Sequence, residues 1–118
     1  MLAGNRSHRV GDQVLREISD LLLRKVKDPR LKDVTLTDVS VSKDLRRAHV
    51  YYSIFGTEEQ KKQAQEGFES AKGYIRREIG ERLQLRYVPD MQFKYDTSLE
   101  YGQKMERILE ELNPEKDE

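Results

Sequence analysis

The chain has 118 residues, of which 36% are hydrophobic and 37% are charged, and its formal net charge at pH 7 is zero. This length and composition predict a single domain with a modest core beneath a heavily charged surface. The sequence contains no cysteine, which excludes disulfides and thiolate chemistry, and it has no apolar run near the roughly 20 residues that a membrane span needs. We therefore expect a cytoplasmic protein with no membrane partner.

The charge is distributed unevenly along the chain. Residues 99–118 contain three Lys or Arg and seven Asp or Glu, a net charge of −4, so residues 1–98 carry +4. A mildly basic body permits a polyanionic partner, although most charged side chains in proteins are simply solvated.

The first predicted element is a helix. Residues 1–8 are polar and basic, and we expect them to form a flexible arm. An apolar stripe then predicts a helix from Val10 that ends before Pro29, because a residue preceding proline avoids helical backbone angles. The densest basic cluster of the chain surrounds this stop: Arg24, Lys25, Lys27, Arg30 and Lys32.

Two strands follow. Residues 34–42 are β-branched and alternating, which predicts a strand. The phase of the alternation changes partway, and a β-bulge near Thr37 and Asp38 would reconcile the two halves. A short polar connection leads to a second strand over residues 48–54, so the pair should form a hairpin. The side chains expected to face the core are Val50, Tyr52 and Ile54.

A capping box at Thr57 and Gln60 opens the next helical segment. Apolar positions then continue at helical spacing from Phe68 to Leu83, with one interruption at Ala71-Lys72-Gly73. Glycine is a poor residue for a helix interior, so we expect a kink there, with two helices meeting at Gly73. A single helix with a tolerated glycine is equally compatible with local rules.

The remaining elements are a third strand over residues 91–95 and a terminal helix opened by a second capping box at residues 97–100. Residues 113–118 should form a disordered acidic tail. A hairpin followed by a helical crossover places the third strand parallel to the second. The predicted fold class is therefore α+β, a two-layer sandwich in which residues 1–112 form one domain. Its order is helix, strand, strand, helix, kinked helix, strand and C-terminal helix, with a three-stranded mixed sheet.

The sequence offers little chemistry for an enzyme. The two histidines, His8 and His49, lie in the predicted arm and in a strand, with no nucleophile motif beside them. Neither a GxxxxGK[ST] loop nor a GxGxxG motif occurs. We therefore expect no catalysis, no cofactor and no metal site.

Three basic groups are candidates for nucleic-acid binding, because guanidinium and ammonium groups neutralise phosphates and gain from counterion release. Each group alone fits a solvated helix face better; Arg77, for example, precedes Glu81 by four residues, the spacing of an ordinary surface pair. Together, and beside the glycine, they favour RNA. The groups are Arg6, His8 and Arg9; Arg24, Lys25, Lys27, Arg30 and Lys32; and Lys72, Arg76, Arg77, Arg82 and Arg86.

Several short motifs also occur in a fixed order across residues 6–112. They are Arg9-Val10, Asp28-Pro29-Arg30, LTDVSVSKDL at residues 36–45, Ala48-x-Val50-Tyr51-Tyr52-Ser53, Ala71-Lys72-Gly73 and Asp96-x-Ser98. No single motif is specific, but the ordered set resembles the bacterial ribosome-binding factor A family. The resemblance implies a type II KH-like fold in which the kink element Ala71, Lys72 and Gly73 replaces the usual GxxG loop.

The resemblance further implies a non-catalytic factor that binds the immature small ribosomal subunit. Such a factor contacts the rRNA near the 5′-terminal helix and the decoding-site region, assists late maturation and then leaves. The small subunit and its rRNA are the expected partners, another assembly factor such as a maturation GTPase is a further candidate, and the chain is expected to be monomeric.

The alternative function is a protein–protein adaptor that docks through the sheet edge or the C-terminal helix. Salt distinguishes the two functions, because binding through phosphates weakens steeply with ionic strength whereas apolar docking does not.

Overall fold

The structure, a computed structural model, describes the backbone of residues 4–98 and the side chains of residues 6–98. The predicted terminal helix from residue 99 onward, the second half of its capping box and the acidic tail lie outside this range. In chain order the elements are α1 (Gly4–Arg24), a 3₁₀ turn (Pro29–Leu31), β1 (Val34–Val41), β2 (Arg47–Ile54), α2 (Glu58–Leu83) and β3 (Asp90–Tyr95).

Helix α1 begins earlier than the apolar pattern predicted. It starts at Gly4 rather than near Val10, so the basic residues expected in a flexible arm lie on its first turns. The buried residues at this end of α1 are the small Ser7 and Gly11, which do not add to an apolar stripe. A Cβ on Gly11 would lie 2.9 Å from the carbonyl oxygen of Val39, so the helix approaches β1 closely at this point.

The sheet has the order β1-β2-β3, with β1 antiparallel to β2 and β2 parallel to β3. The predicted mixed sheet is therefore confirmed. The register shifts between Leu36 and Asp38, which leaves Thr37 without a facing residue and confirms the predicted bulge. Val50 lies opposite Val39 on one side and Phe93 on the other, which places the middle of β2 at the centre of the domain.

The core lies between the sheet and the two helices. The ring of Phe68 on α2 stacks on Phe93 with the centroids 4.5 Å apart and tilts against Tyr52 at 4.8 Å. Of the three β2 residues expected in the core, Val50 and Tyr52 are buried and Ile54 is half-buried. Other fully buried side chains come from both helices and β3: Val14, Ile18, Leu21, Ile75, Ile79 and Met91. The predicted two-layer α+β arrangement is confirmed.

Helix α2 runs without interruption for 26 residues. Its predicted capping box is confirmed, because the Gln60 amide donates to the Thr57 hydroxyl and the Thr57 amide donates to the Gln60 side chain. The prediction of two helices meeting at Gly73 is wrong; the single helix with a tolerated glycine is what forms. Burial of Phe68, Ile75 and Ile79 on one face outweighs the small cost of one glycine.

Neither helix in the described range is long and apolar enough to cross a membrane.

Two glycines of α2 in contrasting surroundings, Gly73 and Gly67, give a test of helix continuity. Around Gly73, no atom of the surrounding structure lies within 4 Å of a built Cβ, so Gly73→Ala should stabilise the protein by about 0.5–1 kcal/mol in chemical denaturation. Gly67→Ala is the matched control, because its Cβ would lie 3.1 Å from two Leu31 carbons and should destabilise the fold. A loss of stability in Gly73→Ala would instead support a kink.

Candidate nucleic-acid interface

The basic cluster at residues 24–32, called here the basic turn, is held in a defined position. Asp28 caps the 3₁₀ turn by accepting a hydrogen bond from the Arg30 amide at 2.9 Å, and Pro29 supplies the fixed backbone angle of the first position. Leu31 is buried and packs on α2 at Gly67. The loop between α1 and β1 is therefore anchored at both its cap and its apolar residue.

Two of the five cations in the basic turn are already paired. The Arg24 guanidinium lies 2.7 Å from the Asp20 carboxylate, and the Arg30 guanidinium lies 2.7 Å from Asp28. Hydrogen bonds from the Arg30 side chain and backbone hold the pKa of the Asp28 carboxyl below its usual value. Neither arginine is fully available to a phosphate.

The other three cations of the basic turn are open to solvent. Lys25, Lys27 and Lys32 are exposed, and within residues 6–98 none of them has an ion-pair partner. They lie within eight positions of one another on an anchored segment. This is the arrangement that a polyanion requires, because the lysines lose no protein partner when a phosphate binds.

The first basic group lies at the opposite end of α1. Arg6, His8 and Arg9 are all exposed on the first turns of the helix. Arg9 and Arg24 are fifteen positions apart, which is about 22 Å along the helix axis. The structure therefore does not bring this group together with the basic turn.

The members of the third basic group have different partners. The Lys72 ammonium lies 3.3 Å from Glu69. Arg76 donates to the carbonyl oxygens of Val88 at 3.0 Å and Pro89 at 3.2 Å, so its guanidinium ties α2 to the loop before β3. Arg77 is exposed and lies 5.8 Å from the centre of the Tyr74 ring.

Arg82 joins the two helices. Its Nη1 donates to Asp20 at 2.9 Å and to Glu17 at 3.0 Å, both on α1. Arg82 was expected to bind RNA, but its acceptors lie more than 60 positions earlier in the chain and could not be found by local spacing. The signal that was available is the pair Glu17 and Asp20, three positions apart and so on one flank of α1.

Within the described part of the chain, no group of three or more His, Cys, Asp or Glu residues is placed to hold a metal ion. The kink element offers one further feature, because Gly73 is exposed and leaves the α2 backbone open to close approach.

The hydrogen bonds of Arg76 predict that replacing Arg76 lowers the stability of the protein more than replacing Arg77 does. Arg76→Glu removes two hydrogen bonds from a charged donor, and a bond of this kind is worth about 1.5–3 kcal/mol, less when half-exposed. We expect Tm to fall by roughly 5–10 °C. Arg77→Glu is the control, and its stability should stay within about 0.5 kcal/mol of the parent. Equal Tm values for the two variants would show that the Arg76 contacts are unimportant.

The Arg82 contacts predict a pH dependence. The hydrogen bond from Arg82, followed by the charge of Arg24, holds the pKa of the Asp20 carboxyl below its usual value. A depressed folded-state pKa stabilises the protein above the unfolded-state pKa of about 4, and this stabilisation is lost as the pH falls through the folded-state value.

We therefore expect Tm to fall less between pH 5 and about pH 2.5 in Arg82→Met than in the parent. Arg86→Met is the control, because Arg86 is exposed and contacts only the Tyr87 ring in the described structure. If Arg82→Met and the parent have parallel Tm curves, the interhelical pair does not contribute to acid sensitivity.

Comparison with known proteins gives one consistent family. A family model described as ribosome-binding factor A matches residues 6–109. A ribosome-binding factor A of Caldanaerobacter subterraneus is 52% identical over 109 residues, which cover 92% of this chain and 89% of that protein. One from Citrifermentans bemidjiense is 51% identical over 107 residues, covering 91% and 90%.

Solved structures are similar in fold. The crystal structure of ribosome-binding factor A from Thermus thermophilus has a TM-score of 0.65 and 25% identity, covering 74% of this chain and 92% of that one. A homology model of the T. thermophilus factor, fitted into a cryo-EM map of its 30S complex, has a TM-score of 0.55 and 25% identity, covering 72% of this chain and 94% of that one. The KH-like, α+β architecture expected from the sequence agrees with these structures.

Proposed function

Because this chain belongs to the ribosome-binding factor A family, we propose that it is a non-catalytic factor that binds the immature small ribosomal subunit through its rRNA and assists late maturation. The T. thermophilus relative fitted into the map of a 30S complex supports this choice of partner. Binding to another assembly factor, such as a maturation GTPase, is a further part of the proposal.

The observation that carries the RNA contact is the basic turn. Its three exposed lysines, Lys25, Lys27 and Lys32, have no carboxylate partner within the described residues and lie on a segment fixed by Asp28 and Leu31. Fixed cations bind a polyanion without a large loss of conformational entropy. Each phosphate contact also releases condensed counterions, which favours binding at low salt.

The remaining candidate RNA-binding residues differ in how accessible they are to a phosphate. Arg6, His8, Arg9 and Arg77 are exposed and stay in the proposed interface as secondary contacts. Lys72 is half-buried and paired with Glu69, and its position next to the open backbone of Gly73 keeps it in the proposal. The guanidinium groups of Arg76 and Arg82 hold the fold together and contribute to binding only through the surface that they support.

The test is a triple charge reversal, Lys25→Glu with Lys27→Glu and Lys32→Glu, measured by binding of the purified protein to immature small subunits across a salt series. Each lost phosphate contact should lower the salt slope by about 1, and affinity at low salt should fall at least about tenfold. We expect the variant to keep its fold, because all three side chains are exposed, and thermal unfolding checks this.

The control carries the same change in net charge elsewhere. Lys43, Lys62 and Lys94 are lysines on the hairpin turn, on α2 and on β3, outside the basic turn. Reversing these three should leave most of the binding intact. Equal losses of binding in both triple variants would show that net charge alone explains the loss. They would contradict the assignment of the RNA contact to the basic turn.

The adaptor function makes the opposite prediction. Docking through an apolar surface should persist at high salt and after nuclease treatment of the subunit preparation. Binding with both properties would replace the RNA contact with a protein partner.

A further inference from the structure

A groove with a volume of about 660 Å³ lies between the C-terminal end of α1, the 3₁₀ turn and the start of β1, and is called here the α1–β1 groove. The exposed fraction of the Leu23 side chain in its lining is 80%, which is unusual for a leucine on a helix that also supplies the core. The apolar side chains of the lining include Leu22, Leu23, Val26, Leu31, Val34 and Leu36.

The α1 wall of the groove is a second flank of the helix. Leu22 and Leu23 follow Ser19 by three and four positions, so the three residues share one flank, and all three line the groove. Leu21 is fully buried in the core. Helix α1 therefore has two apolar flanks at this end, and only one of them is covered by the described part of the chain.

The β1 wall lies on the helix side of the sheet. Leu36 lies opposite the buried Tyr52, and Val34 lies opposite Ile54, so both side chains project from the same face as the core. Both remain only half-buried. The groove is thus the place where the core face of the sheet continues beyond its cover.

Two lysines add positive charge to this apolar groove. Lys27 and Lys32 line it, are exposed and have no ion-pair partner among residues 6–98. Asp28, a carboxylate in the lining, is already paired with the Arg30 guanidinium at 2.7 Å. An occupant that matches the groove therefore carries both apolar side chains and carboxylates.

The charge of the groove distinguishes its possible occupants. Two copies of this chain docked groove to groove would bring lysines against lysines, which is unfavourable. An RNA backbone would be attracted by Lys27 and Lys32 but would leave apolar side chains such as Leu23 in water, without the gain of burying them. A protein segment with apolar and acidic side chains satisfies both parts of the groove.

We propose that the α1–β1 groove binds a segment of a partner protein that presents an apolar stripe flanked by Asp or Glu. The stripe packs on Leu22, Leu23 and Leu36, and the carboxylates face Lys27 and Lys32. Amphipathic helices with anchors at i, i+3, i+4 and i+7 bind apolar grooves in this way. This binding does not depend on the RNA contact of the proposed function, although both use Lys27 and Lys32.

The chain has no cysteine, so a single engineered thiol can report binding in the groove by disulfide capture. Ser19→Cys places that thiol at an exposed position in the lining of the full chain. The probes are three synthetic peptides of about 11 residues, roughly three helical turns, each with one terminal cysteine. The first has Leu at i, i+3, i+4 and i+7 and Glu elsewhere, the second has Lys in place of Glu, and the third has Ser in place of Leu.

The measurement is the equilibrium constant for exchange of glutathione by each peptide on the protein thiol. Ser70→Cys is the matched control, because Ser70 is also an exposed serine on a helix but lies outside the groove. At Ser19→Cys we expect the acidic Leu peptide to exceed the other two by about tenfold or more, because a contact beside the disulfide raises the effective concentration. At Ser70→Cys the three constants should agree within a factor of about three.

Two further variants separate the groove from the RNA contact. Leu23→Ser, combined with Ser19→Cys, should remove most of the preference for the acidic Leu peptide and leave binding to immature small subunits unchanged. Lys25→Glu is exposed, lies two positions further along and is outside the lining, so it should keep the peptide preference and weaken subunit binding. Failure of the groove and failure of the RNA contact are therefore distinguishable.

Each of four other outcomes overturns the proposal. A preference no greater at Ser19→Cys than at Ser70→Cys would mean that the groove does not bind such a segment. Equal capture of the acidic Leu and acidic Ser peptides would show that charge alone explains the capture. Disulfide-linked dimers of the Ser19→Cys chain that form in preference to all three peptide adducts would identify a second copy as the occupant. A tenfold rise in capture on changing Leu109→Glu with Leu112→Glu would identify the chain's own C-terminal segment as the occupant.

Discussion

Leu31 packs against Gly67 so closely that a Cβ on the glycine would lie 3.1 Å from two leucine carbons. This contact fixes the 3₁₀ turn on α2 and, through it, the whole connection between α1 and β1. The same contact holds the lysines of the basic turn in place, and Leu31 also lines a groove between α1, the 3₁₀ turn and the start of β1. A larger residue at position 67 would displace all three features at once, because protein interiors are packed too densely to absorb the added volume locally.

The cations of the basic turn divide by residue type. The arginines at positions 24, 30, 76 and 82 bind carboxylates or backbone carbonyls, whereas the lysines of the basic turn remain exposed. The planar guanidinium presents several donors in a fixed geometry and suits two acceptors at once, as Arg82 shows between Glu17 and Asp20. A lysine ammonium is compact and strongly hydrated, and it stays available to a mobile phosphate backbone. Within the described residues, the candidate interface is therefore defined more by the lack of carboxylate partners than by the density of charge.

Strand β1 is an edge strand, and its bulge has two consequences. It interrupts the ladder at Thr37, which makes the edge a poorer template for pairing with another chain. It also turns the Thr37 hydroxyl toward Asp96, so the chain that leaves β3 is drawn to the β1 side of the sheet.

Features that depend on neighbouring residues could be predicted from the sequence: the strands to within one residue at each end, the bulge at Thr37, the capping box at Thr57 and the stop before Pro29. Each follows from side-chain and backbone preferences over a few positions. The start of α1, the continuity of α2 through Gly73 and the partners of Arg76 and Arg82 were decided only by the tertiary structure. The physical reason is that close helix–strand approach, burial of a continuous helix face and pairing of charges across helices join residues far apart in the chain. Local spacing predicted the basic turn, but only the folded structure distinguished its exposed lysines from the arginines that stabilise the fold.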